Sequence, residues 1–366
     1  MESKPIQSDR ILSIDVFRGF TMFLLIGEFT HLYAILPHDV TAGGVISAVN
    51  AQFHHHPWNG LRFWDLVQPY FMFIVGLSLP FAIKGRTKKG QTRRQISIHV
   101  LKRSLILIFM GWALYCIGPG EIRFYFQNVL AQIGVTYLIA YLIMDRSFAF
   151  QVIFSLGLLA LTDGLYRFFP VEGFDHPFVI NQNFGTWLDQ LYNGQSNGGW
   201  VSFNAIPTAA HTIWGVLAGK LLMSDKPAMD KLKQLVIAGT LLIIVGYIMD
   251  PITPIIKRIS TSSFVLVSGG WSIATLALLF WIVDIKKLNK GWPIFFGVVS
   301  INSLFIYLFS HVGGADFFEN ILHPFTYALF GWGGELTAAV ITSLLVWAAL
   351  WGLCYWMYRQ RLFIKI

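Results

Sequence analysis

Long apolar runs separated by short polar breaks fill almost the whole chain. A bilayer core of roughly 30 Å takes about 20 predominantly apolar residues as a helix. Runs of that kind lie near 15–36, 63–83, 102–118, 126–144, 148–168, 206–224, 233–250, 263–284, 292–310 and 334–358. The pattern predicts an all-α polytopic integral membrane protein with about ten transmembrane helices, in a single domain covering 1–366. The breaks alternate in character. One set is short and rich in Lys and Arg, as in Lys84-Gly-Arg86-Thr-Lys88-Lys89. The other set includes the long segments 37–62, 169–205 and 311–333, rich in Gly, Asn, His, Pro and Trp. These are read as outer loops, too polar to span and too aromatic for plain linkers.

Composition agrees with the pattern, because 55% of residues are hydrophobic and 13% charged, against about a quarter charged in soluble domains. The net charge of +8 by itself would suit nucleic acid, but its distribution excludes that partner. Assigned to alternate sides, 22 basic and 7 acidic residues (+15) fall with the termini, and 5 basic and 12 acidic (−7) fall opposite. By the positive-inside rule both termini are cytoplasmic. The first apolar run carries Asp15, Arg18 and Glu28 and is followed by no A-x-A site, so it reads as a retained helix rather than a signal peptide. Cys116 and Cys354 fall at opposite membrane faces, which predicts neither a disulfide nor a cysteine-rich metal site. The chain contains no GxxxxGK[ST], GxGxxG or HExxH pattern. Gly215-Val-Leu-Ala-Gly219 is a small-xxx-small face, expected to serve close helix packing within the monomer.

The densest polar cluster runs from the first outer loop into the second span: Phe53-His54-His55-His56-Pro57-Trp58-Asn59-Gly60-Leu61-Arg62-Phe63-Trp64-Asp65. An imidazole titrates near neutrality and can take and return a proton. Asp65 is placed to orient such a ring, and Asn59 to stabilise developing oxyanion charge. The bland alternative is adventitious metal binding by adjacent histidines, with Trp58 and Trp64 as interfacial anchors. Asp15 and Arg18, at i and i+3 just inside the membrane, have ion-pair spacing. Glu28 lies deep in a span with no local cation, and an intramembrane carboxylate is a functional candidate. His211, Asn302 and His311 also lie in spans, where such residues face a cavity or, more often, are satisfied packing residues.

Three blocks together resemble the family of membrane acyltransferases that includes heparan-α-glucosaminide N-acetyltransferase and its bacterial relatives. They are Arg10-Ile-Leu-Ser-Ile-Asp15-Val-Phe-Arg18-Gly19, then His55-x-x-Trp58-Asn59-Gly60-Leu61, then Asp65-Leu-Val-Gln-Pro69-Tyr-Phe71-Met-Phe73-Ile-Val-Gly76. Weaker matches continue through Thr261-Ser-Ser-Phe-Val-Leu266 and Asn302-Ser-Leu-Phe-Ile-Tyr307. The resemblance implies transfer of acetyl from cytosolic acetyl-CoA, without a metal, to an amino sugar on the far side of the membrane. It assigns the catalytic histidine to His55, with Asp65 and Asn59 beside it, and not to His54 or His56. Trp58, Glu28, His211, Asn302 and His311 become candidates for binding the acceptor. The phosphates of coenzyme A would stay near cytoplasmic cations, for which Arg18, Lys84, Arg86 and Arg103 are the candidates. A homodimer in a bacterial cytoplasmic membrane is a family-level expectation. The chain departs from the family at Gly27-Glu28-Phe29-Thr30-His31, where relatives carry Asn, and at His211, where a threonine-like residue is usual. The competing reading is a proton-coupled transporter of a sugar or peptidoglycan fragment, built on Glu28, Asp65 and the histidines.

Overall fold

A computed structural model describes residues 11–37, 44–192 and 198–364. Among them there are helices, turns and loops but no extended strand. In chain order the helices are α1 (Leu12–Glu28), α2 (Leu32–Ile35), α3 (Val45–Ala51), α4 (Val67–Lys88), α5 (Arg93–Ile117), α6 (Val129–Ile143), α7 (Phe148–Arg167) and α8 (Phe184–Gln190). They continue with α9 (Ala205–Met223), α10 (Ala228–Met249), α11 (Ser262–Leu279), α12 (Trp292–Ile301), α13 (Ser303–Phe309), α14 (Ala315–Phe330) and α15 (Glu335–Arg359).

The polar breaks make sharp helix ends. Gly90, at φ +78°, closes the turn after α4. Thr92 and Gln95 then form a reciprocal capping box that starts α5. Asn128 and Ser147 cap α6 and α7 by accepting from Leu130 N–H and Phe150 N–H. Asp284, distant in sequence, accepts from Leu12 N–H at 3.1 Å and Ser13 N–H at 3.2 Å. A carboxylate thus sits on the positive end of α1, where the helix dipole favours it.

Among the described residues six helical segments are long and apolar enough to cross a bilayer: Phe63–Lys88, Arg93–Ile117, Phe148–Arg167, Ala228–Met249, Ser262–Ile285 and Glu335–Arg359. A seventh arises if the pair Trp292–Ile301 and Ser303–Gly333, bent by 68°, counts as one span. The other runs seen in the sequence form α1 with 17 residues, α6 with 15 and α9 with 19. These helices are shorter or more polar, and α9 in particular is enclosed by protein along most of its length. A helix ringed by neighbours need not be apolar all round. α10 is the opposite case: Ile237, Leu241, Ile244 and Ile248 form an exposed stripe at helical spacing.

Helices approach closely where glycines remove side chains. A Cβ on Gly76 would collide with the Thr212 carbonyl, and one on Gly215 with that of Phe73, so α4 and α9 meet backbone to backbone. The Gly215–Gly219 face is therefore used inside the chain. Phe17, Phe73 and Phe264 fill the space between α1, α4 and α11. Both cysteines are free. One difference from the sequence reading stands out: 311–333 is not an open loop but is largely α14. Phe317, Phe318, Ile321, Leu322, Phe325 and Leu329 recur at helical spacing there, so one face is apolar although the average composition is not.

Candidate active site

The segment 53–62 leaves α3 and enters the first turn of the Phe63–Lys88 helix, and Asp65 is where that turn folds back on the segment. Its Oδ2 accepts from Arg62 N–H at 2.9 Å and His56 N–H at 3.2 Å. Its Oδ1 lies 3.0 Å from His55 Nδ1. The carboxylate is fully buried while the His55 side chain is 34% exposed. Asp65 therefore anchors one edge of the imidazole and leaves the other edge open. Among the described residues Nε2 has no hydrogen-bond partner.

A third group completes the cluster from far along the chain. Lys257 Nζ lies 3.1 Å from His55 Nδ1 and 3.8 Å from Asp65 Oδ1, and its side chain is only 6% exposed. The Trp200 ring covers the site, edge-on to His55 at 5.3 Å and 5.5 Å from the ammonium of Lys257. Burial, reinforced by the Lys257 charge and opposed by the hydrogen bond to Asp65, lowers the His55 pKa to about 4. Burial also lowers that of Lys257, to about 8, against the pull of Asp65 and Glu28. At neutral pH the ring is an unprotonated base beside a buried carboxylate.

Lys257 does not stand out in the sequence. It is visible there only as one of five cations in the acidic half that the charge pattern reads as outer. A cation with no surface reason to be on that side is the one signal available.

The remaining predicted residues divide into groups. Glu28, solvent-accessible at the end of α1, lies within charge reach of Lys257 and touches the Trp64 indole. Trp58 donates its indole N–H to Phe178 O at 2.7 Å, tying the His55 segment to the 169–205 segment. Asn59 is exposed, and no side-chain hydrogen bond joins it to the cluster among the described residues. His211 sits in the core between α9 and α11, with Nε2 at 2.9 Å from Ser268 Oγ and 3.1 Å from Val265 O. Asn302, at the 68° bend, donates to Leu362 O at 2.9 Å and accepts from Ile364 N–H at 3.1 Å, holding the C-terminal segment. His311 packs between Phe29 and Tyr307. Among the described residues His211 and Asn302 thus make their hydrogen bonds to α11 and to the C-terminal segment, and none to the His55 cluster.

All four predicted coenzyme contacts, Arg18, Lys84, Arg86 and Arg103, line one cavity of about 1310 Å³. Lys88, His99 and Lys231 add to its polar end. Arg18 donates to Ser78 Oγ at 2.7 Å and pairs with Asp15 at 4.0 Å. Arg103 lies over the Tyr137 ring at 5.1 Å, with its Nε buried and without a hydrogen-bond partner. The opposite end of the cavity is apolar, formed by Leu25, Leu107, Leu130 and Tyr307. Tyr307 in turn lies within charge reach of Glu28. A cationic mouth with an apolar throat fits a phosphorylated nucleotide carrying a long uncharged arm.

Fold and site define an integral membrane protein of many helices, with a histidine–carboxylate–lysine cluster at one end and a cation-lined cavity in its interior. The chain is similar to heparan-alpha-glucosaminide N-acetyltransferase of Homo sapiens, 26% identical over 98% of this chain and 60% of that protein. It is also similar to the protein of the same name from Mus musculus, 25% identical over 100% of this chain and 62% of that protein. It therefore spans about 60% of the length of these curated relatives. No protein-family model matches the chain. Both relatives, matched along almost the whole of this chain, agree with the family resemblance read from the sequence.

Proposed function

We propose that this protein is a transmembrane acetyltransferase that moves acetyl from cytosolic acetyl-CoA to an amino sugar on the non-cytoplasmic side. The chain would act as one transmembrane domain of about ten spans with both termini inside, in a bacterial cytoplasmic membrane. The charge asymmetry supports the orientation. With that orientation the cation-lined mouth of the cavity would lie inside and the His55 cluster outside.

The observation that carries the reading is the cavity itself. Cations from α1, α4 and α5 converge on one space whose far end is apolar. Arg86 and Arg103 would hold phosphates, and the buried, unpartnered Nε of Arg103 is a donor in want of an acceptor. When bound, acetyl-CoA supplies the activated acyl group. On the proposed outer side, beyond the residues that line the cavity, His55 would take a proton at Nε2 from the acceptor amine as it attacks the acetyl carbonyl, or would itself accept the acyl group first; coenzyme A leaves as its thiol with that proton, and Asp65 balances the transient imidazolium charge. Glu28, an accessible carboxylate next to the cluster, suits a cationic amine.

Binding tests this reading. In detergent or nanodiscs the protein is expected to bind acetyl-CoA, and Arg86→Glu to weaken binding at least tenfold, about 1.4 kcal/mol, while leaving the fold intact by circular dichroism. Equal affinity in wild type and Arg86→Glu would remove the cavity from the account.

A further inference from the structure

Lys257 has no role in the scheme above, yet it is the most deeply enclosed cation near His55. The loop that bears it, 250–261, is fixed from several directions. Asp250 Oδ1 accepts from Ile255 N–H at 2.8 Å, Thr261 Oγ1 from Ile256 N–H at 3.0 Å, and Asn204 donates to Arg258 O at 2.8 Å. Gly60 N–H donates to Ile255 O at 2.8 Å, clamping this loop to the segment that carries His55. The ammonium group is thus held at a set place rather than left to a flexible chain.

Its position has a chemical consequence. A carboxylate only accepts and an ammonium only donates, and both stand about one hydrogen bond from the same nitrogen, at 3.0 and 3.1 Å. The charged groups facing the ring are Lys257 and Arg258, which oppose protonation, and Asp65, which favours it. Those facing Lys257 are Asp65, Glu28 and Arg258. Burial is the largest influence against a proton on the ring, Lys257 adds to it, and Asp65 works the other way.

We propose that Lys257 is a positioning residue of this site: its clamped charge, delivered to the edge of the ring that Asp65 also holds, keeps the imidazole neutral and the carboxylate ionised. The assignment deepens the acetyltransferase reading, on which it rests, by giving the base a reason to be unprotonated when the acceptor arrives. If the ammonium turned to solvent instead of being held at the ring, removing it would leave the titration of His55 where it is.

The test is histidine titration by NMR on full-length protein in nanodiscs with labelled histidine, the His55 signal being assigned by its loss in His55→Gln. In wild type the ring is expected to stay neutral down to about pH 5. In Lys257→Met the midpoint is expected to rise by at least one pH unit, towards the ordinary value of about 6.5. Lys257→Arg, which keeps a cation there, is expected to retain the low midpoint. Wild-type His55 is also expected to show a second inflection near pH 8 as Lys257 loses its proton, absent in Lys257→Arg. An unchanged midpoint in Lys257→Met overturns the proposal. If that variant does not fold, an inflection near pH 8 that persists in Lys257→Arg overturns it instead. Acetyl transfer measured on the same samples separates the two ideas: no turnover in any sample, with the NMR shifts as stated, sinks the acetyltransferase reading and leaves the role of Lys257 standing.

Discussion

His55 owes its character to influences that act in different directions. Burial and Lys257 push its proton off, Asp65 pulls one on, and the balance leaves a pKa of about 4. The sign gives a pH dependence. A base with a lowered pKa is active above it, so kcat/KM expressed per unprotonated acceptor amine is expected to hold from neutral pH down to about 5 and fall only below that. An ordinary histidine would lose activity through 6.5; an acid limb there would contradict the local electrostatics. Asp65→Asn is expected to lower kcat by about a hundredfold or more, in the range that general-base catalysis supplies, with little change in acetyl-CoA affinity. The pairing of His55 with Asp65 is legible in the sequence because the two lie ten residues apart around a turn. Lys257 is not, because its approach depends on a loop 202 residues away from His55. His211 and Asn302 show the converse. As polar residues in apolar runs they look like site residues, but their partners are Ser268 and the backbone of the C-terminal segment.

At the scale of elements, the helices are legible from apolar run length and their ends only as polar breaks; Gly90, Thr92, Asn128 and Ser147 are the residues that make those ends. The run 15–36 overstates its helix, because α1 stops at Glu28 and His31, at φ +62°, breaks the helix before α2. α14 is hidden in the sequence because average polarity masks an apolar stripe. The contact of α4 with α9 is among the tightest in the bundle, since Gly76 and Gly215 each face a carbonyl of the other helix. Overpacking a well-filled interior costs about 1–3 kcal/mol, and a backbone contact has less room to yield than a side chain. Gly76→Leu is therefore expected to lower the thermal midpoint in detergent markedly, whereas Gly157→Ala, whose Cβ would meet open space, is expected to leave it unchanged. Similar midpoints for the two variants would mean that the helices do not meet as described.

For the whole molecule, the +8 net charge resolves into a basic half and an acidic half, and the proposed function needs that dipole to be an orientation. Single cysteines in a background lacking Cys116 and Cys354 test it. Gly173→Cys, in the 169–205 segment, is expected to react with a membrane-impermeant maleimide in intact cells. Gly90→Cys, between α4 and α5, is expected to react only after lysis. The reverse pattern would place His55 on the same side as acetyl-CoA and end the transmembrane account.

The central claim is that His55 carries out an acetyl transfer, and acceptor-dependent release of coenzyme A addresses it most directly. Purified protein in nanodiscs, given acetyl-CoA and glucosamine as the probe acceptor, is expected to release coenzyme A and form N-acetylglucosamine in equal amounts. His55→Ala is expected to lose at least a hundredfold of that rate, while His54→Ala and His56→Ala keep most of it. Equal loss in all three variants, or glucosamine uptake into vesicles with no thioester consumed, would contradict the account.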